Sequence, residues 1–131
     1  AMVNGTVVTA TAAGIYPTDP NRCGTTIAIA GHDGAHYLYC HLSQLAVTPG
    51  QAITAGTLIG LSGGQPGTPG AGNTTGPHLH LAIRVNGTAI CPQLLLLATY
   101  RQQPFAPTAA PTAGCVDGAP LTDWRATLGS A

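Results

Sequence analysis

The chain has 131 residues, with four arginines against four aspartates and so no formal net charge. It contains no lysine and no glutamate. Without a basic excess it is expected to bind neither nucleic acid nor an anionic membrane surface, and lysine Schiff-base, lysine-phosphate and glutamate-base chemistry are excluded.

This length fits one domain with a core of its own. The longest apolar run, Leu94-Leu95-Leu96-Leu97-Ala98, falls far short of the roughly 20 residues of a membrane span, so no membrane insertion is expected. No secretory leader is legible, and Ala1-Met2 reads as an artificial start to a domain cut from a longer protein.

In chain order the signal is strand and turn. Glycine and proline punctuate short β-branched runs: NGTVVTATA, GTTIAIAG, HYLYCHL, LAVTPGQAITAGTLIGLSG and HLHLAIRVNGTAIC. Such spacing predicts a mainly β domain of mostly antiparallel sheets, a sandwich or a barrel. Asn86-Gly87 reads as a two-residue hairpin turn, because both residue types tolerate positive φ. The one helix expected is PQLLLLATYR, residues 92–101, with Pro92 in its first turn. GGQPGTPGAGNTTG, 63–76, is a long glycine-rich loop of the functional kind. Residues 1–102 therefore form the domain, and 103–131 a tail rich in proline, alanine and threonine.

The cysteines, Cys23, Cys40, Cys91 and Cys115, lack zinc-knuckle or redox spacing. Their even number suggests two disulfides in an extracytoplasmic protein, and three pairings are open. Strand alternation turns Cys40 inward, within reach of Cys23 if the strands that follow each are neighbours. That favours Cys23–Cys40 and leaves Cys91–Cys115 to pin the tail, each link contributing roughly 2–4 kcal/mol.

The same alternation gives the histidines a geometry. In 78–85, His78, His80, Ala82 and Arg84 share one face, and Leu79, Leu81, Ile83 and Val85 the other. The two histidines then project together, roughly 7 Å apart along the strand. In 37–42, Tyr37, Tyr39 and His41 alternate against Leu38, Cys40 and Leu42, so His41 is expected outward with the tyrosines. A groove lined by Tyr39, His41, His78 and His80, with the 63–76 loop as one wall, is the candidate site, and Arg84 on the histidine face is placed to meet a substrate carboxylate. His32, Asp33 and His36 have ligand spacing only on a helix, and GHDGAH reads as a turn.

Taken together and in order, GTVV at 5–8, YCHL at 39–42, VTPGQ at 47–51 with AGTLIG at 55–60, and TGPHLH at 75–80 resemble the LytM/lysostaphin-type domains of the M23 zinc metallopeptidases, which cut peptidoglycan peptides. The resemblance runs from Val3 to Cys91. It implies a LytM-like β sandwich with a groove, His80 as a zinc ligand, and His41 and His78 as the pair that flanks the attacking water and steadies the tetrahedral intermediate. The family's other motif, His-x-x-x-Asp, supplies two further zinc ligands and does not occur in these 131 residues. Catalytic zinc sites use three protein ligands. The expectation is a monomeric, extracytoplasmic, catalytically degenerate domain that binds peptidoglycan or regulates a cell-wall hydrolase. The alternative is an active zinc endopeptidase whose missing ligands lie upstream. A metal held by His41, His78 and His80 together is also conceivable, and would leave no base. VTPGQAITAGTLIG also resembles half of a lipoyl or biotinyl carrier barrel, a reading excluded by the absence of lysine.

Overall fold

The computed structural model describes residues 1–15 and 22–110. Eight strands form: β1 Gly5–Thr11, β2 Thr26–Gly31, β3 His36–Cys40, β4 Leu42–Leu45, β5 Ala52–Ile53, β6 Gly60–Ser62, β7 His80–Val85 and β8 Thr88–Ile90. Helix α1 spans Gln93–Tyr100, with Pro92 at its N-cap. Six strands make one sheet in the order β5-β1-β2-β3-β7-β8, antiparallel at every pairing, and β4 pairs with β6 in a second, two-stranded sheet.

Register builds the core. Val7 pairs with Ile29, Ile29 with Tyr37, Tyr37 with Ile83 and Ile83 with Ile90, a row across five strands. All five side chains are buried, and each aliphatic member contributes roughly 1.5–3 kcal/mol relative to exposure. A neighbouring row, Ile27–Tyr39–Leu81, runs on the same face. Val47, Ile53, Ile59 and Leu95 close over it.

The sheet corrects the expectation for β3. Tyr37 and Tyr39 face the core, not solvent, and half-buried Leu38 faces away. A tyrosine ring is a large apolar body whose hydroxyl needs one partner. Here Tyr37 donates to Asp33 Oδ2 and Tyr39 accepts from the Met2 amide. Cys40 is on the other face, in register with His80, and is buried beneath Cys23, to which it is disulfide-bonded with Cα atoms 4.9 Å apart.

β7 also starts later than the alternation implied. His78 stands before it, in an isolated bridge to Gly63, and Leu79 is half exposed. The Asn86-Gly87 turn forms, with φ of 49° and 78°. From the start of the tail, Phe105 and Pro107 pack onto the body. Cys115, and with it the expected Cys91–Cys115 link, lies outside the described residues; Cys91 is not a free thiol. No helix among the described residues is long and apolar enough to cross a membrane.

Candidate metal and catalytic site

His41 sits between β3 and β4, where the chain leaves one sheet for the other. It makes that turn in the left-handed region, at φ 61°, which few residues other than glycine occupy. Its amide donates to the Cys23 carbonyl (2.8 Å), and the next amide, Leu42, donates to Thr25 (3.1 Å). The turn breaks the alternation, so His41 departs from the tyrosines and swings to the His80 side of the sheet. It is buried, at 5% exposure, whereas His78 and His80 are exposed.

The three imidazoles converge. The His41 ring centroid lies 4.7 Å from that of His78 and 5.8 Å from that of His80. One nitrogen from each lies within 4.8 Å of the others, the one such cluster among the described residues. His32, Asp33 and His36 form none: Asp33 is engaged by Tyr37 and by the Ala35 amide.

The 63–76 loop fixes two of the rings. Ala71 offers its carbonyl 2.7 Å from His41 Nδ1, and Gly76 its carbonyl 2.7 Å from His78 Nδ1. A carbonyl only accepts, so in the neutral ring each Nδ1 carries the proton and each Nε2 keeps its lone pair. Burial holds the His41 imidazole below its ordinary pKa. The Ala71 bond opposes that shift, and the neighbouring His78 and His80 reinforce it. His41 is thus a neutral base in a partly desolvated position.

The loop can deliver its carbonyls because it is anchored. Gly70 accepts from the Thr25 amide (2.9 Å), and Asn73 donates to Arg22 (2.9 Å). Gly72, at φ 63°, lies so close to this anchor that a Cβ would stand 2.6 Å from the Gly24 amide nitrogen. The segment bearing Cys23 therefore supports both His41 and the loop that orients it.

The other residues assigned to the groove lie elsewhere. Tyr39 points to the opposite face, where it lines an apolar cavity of about 360 Å³ with Met2, Leu42, Ile59 and Leu79. Arg84 shares the His80 face but sits four residues along β7, about 13 Å away at strand rise. Its guanidinium reaches the Gly87 carbonyl (3.4 Å). Ala71, Gly76 and Thr74, which orient the rings, escaped the sequence reading. They act largely through backbone atoms, and the glycine density of the loop was the only signal available.

The donor set suits zinc. Neutral imidazole nitrogens are among its usual ligands, and all three rings address one small volume. His80, with neither ring nitrogen tied to a carbonyl, is the member best able to turn toward an ion.

Residues 1–92 match the model of Peptidase family M23. The DD-carboxypeptidase/endopeptidase Mpg of Neisseria meningitidis is 33% identical over 97 residues, 72% of this chain and 21% of Mpg. The peptidoglycan DD-endopeptidase ShyA of Vibrio cholerae is 42% identical over 52 residues, 40% of this chain and 11% of ShyA. The chain thus spans about a fifth or less of the length of these curated relatives. Among solved structures, the catalytic domain of lysostaphin from Staphylococcus simulans gives a TM-score of 0.60 at 32% identity, covering 74% of this chain and 68% of that one. With a mostly antiparallel, lysostaphin-like fold and a match over residues 1–92, the chain belongs to peptidase family M23, a family of zinc metallopeptidases.

Proposed function

We propose that this domain carries the imidazole part of a zinc-dependent endopeptidase site acting on peptidoglycan peptides outside the cytoplasm. The state of His41 carries the reading. A side chain buried at φ 61°, locked through Nδ1 and aimed at two more imidazoles costs stability that packing alone does not require. Such outliers gather where function fixes a group.

His80 would be one of the three protein ligands a catalytic zinc needs; on this reading the other two come from outside these 131 residues, which hold no His-x-x-x-Asp. His41 and His78 present Nε2 lone pairs that take a proton from the attacking water; once protonated, the rings donate to the oxygen on which negative charge develops. Bound zinc would lower the pKa of its water to about 7 and polarise the scissile carbonyl. A relative named as a peptidoglycan endopeptidase, and a disulfide of the kind that persists in oxidising compartments, support the substrate and the location.

The test is release of new amino groups from purified peptidoglycan by zinc-loaded protein. His80→Ala should lose zinc and turnover together. His41→Ala and His78→Ala should keep zinc and lose turnover by roughly 10²-fold or more. Zinc-loaded protein that sediments with peptidoglycan yet releases nothing would replace this reading with a binding or regulatory module.

A further inference from the structure

His41 and His78 are held in the same tautomer by different means. His41 is buried, so its bond to Ala71 has no competitor from bulk water. His78 is exposed, and water can serve either of its nitrogens. A neutral imidazole in water favours the proton on Nε2, the nitrogen that must be bare to act as a base. Something local has to reverse that preference.

Thr74, four residues earlier, touches every group concerned. Its hydroxyl donates to the Gly76 carbonyl (2.7 Å) and accepts from the Gly76 amide (3.2 Å), so it holds that residue's N–H and C=O from one side. The same oxygen lies 3.2 Å from His78 Nδ1, which is itself 2.7 Å from the Gly76 carbonyl. With the hydroxyl proton committed to Gly76, the Thr74 oxygen faces His78 as an acceptor. The Nδ1–H then points between two acceptors, and a bare Nδ1 there would meet the lone pairs of the Gly76 oxygen at hydrogen-bond distance.

We propose that Thr74 is a positioning residue: by clamping Gly76 it holds His78 in the Nδ1–H tautomer and keeps Nε2 free for proton transfer. The proposal rests on the peptidase reading above for its consequence in catalysis, but the tautomer itself is a property of the free protein. Polar partners behind a catalytic or ligating histidine commonly change activity by roughly 10–100-fold.

The experiment is nitrogen-15 NMR of histidine-labelled, metal-free protein at mildly alkaline pH, with kinetics on the zinc-loaded enzyme. Wild-type His78 should show a protonated Nδ1 and a bare Nε2. Thr74→Val should shift the two nitrogens toward a mixture and lower kcat about tenfold with KM unchanged. Thr74→Ser, which keeps the hydroxyl, should match wild type in both. Should Thr74→Val fail to fold, Thr74→Ala carries the same comparison. A wild-type spectrum from Thr74→Val or Thr74→Ala, or a Thr74→Ser spectrum like that of valine, overturns the proposal. Absence of turnover in wild type overturns the peptidase reading instead, and the spectra still decide the role of Thr74.

Discussion

His41 and Ala71, thirty positions apart, are joined by a 2.7 Å hydrogen bond between the ring Nδ1 and the backbone carbonyl. The bond needs His41 at φ 61°, because a right-handed or extended residue there would carry the ring away from the loop. One substitution pair isolates this backbone requirement. Glycine usually destabilises relative to alanine, yet in the left-handed region an L side chain costs roughly 1–2 kcal/mol. His41→Gly is therefore expected to be more stable than His41→Ala by about 1 kcal/mol in urea unfolding. The ordinary order, alanine above glycine, would show that the left-handed turn is not kept in solution.

The carbonyl that His41 uses depends on Gly72. Alanine there would be strained at φ 63° and would press its methyl to within 2.6 Å of the Gly24 amide nitrogen and 2.8 Å of the Cys23 carbonyl carbon. Gly67, at φ 80° in the same loop, has open space where its Cβ would stand. Gly67→Ala should cost only the conformational part, roughly 1–2 kcal/mol. Gly72→Ala should cost more in thermal unfolding, and it alone should lower peptidoglycan turnover, with zinc binding measured by calorimetry unchanged. Equal effects from the two variants would mean that the loop is not braced through Gly72.

Much of this architecture is legible in the residues. The alternation of Ile27 and Ile29 predicts β2, Asn86-Gly87 predicts its hairpin, and TGPHLH predicts that His78 and His80 belong together. Tyr37 and Tyr39 were not assignable from pattern alone. A tyrosine fits either face, and only register opposite Ile29, Ile83 and Ile27 commits these two to the core. His41 was misplaced for a related reason. Alternation assumes unbroken strand, and its left-handed turn is fixed by the Cys23 and Ala71 carbonyls. Every residue has a carbonyl, so which one serves a histidine is decided by the assembled chain.

The buried tyrosines make the domain sensitive to alkali. Desolvation raises the Tyr37 pKa far above its ordinary value of 10.0, and the Asp33 carboxylate adds to the shift; burial raises Tyr39 as well. In the unfolded chain both phenols ionise near pH 10, while in the folded chain they stay protonated. Above that pH the folded state binds more protons, so stability falls as pH rises. Urea midpoints should fall steeply above about pH 9.5. Tyr37→Phe should start lower, having lost its bond to Asp33, and fall less steeply. An equal slope in the variant would remove Tyr37 as a cause.

Cys23 and Cys40 link the two halves of the site's support. Cys40 precedes His41 directly, and Cys23 offers the carbonyl that receives the His41 amide at 2.8 Å. Closing a loop of sequence separation 17 stabilises a fold by about 3 kcal/mol. The double variant Cys23→Ala, Cys40→Ala leaves Cys91 untouched and should lose about that much in urea unfolding. A global loss would raise exchange at the most protected amides alike, so the local claim needs its own readout. Without the crosslink the 22–25 segment keeps its hydrogen bonds, among them those to His41, Leu42 and Gly70, but loses its covalent tie. Amide exchange at His41 and Leu42 should therefore accelerate by more than exchange at Ile29 and Ile83 in the centre of the sheet. A uniform change across all four would make the disulfide a general staple with no special hold on the histidine.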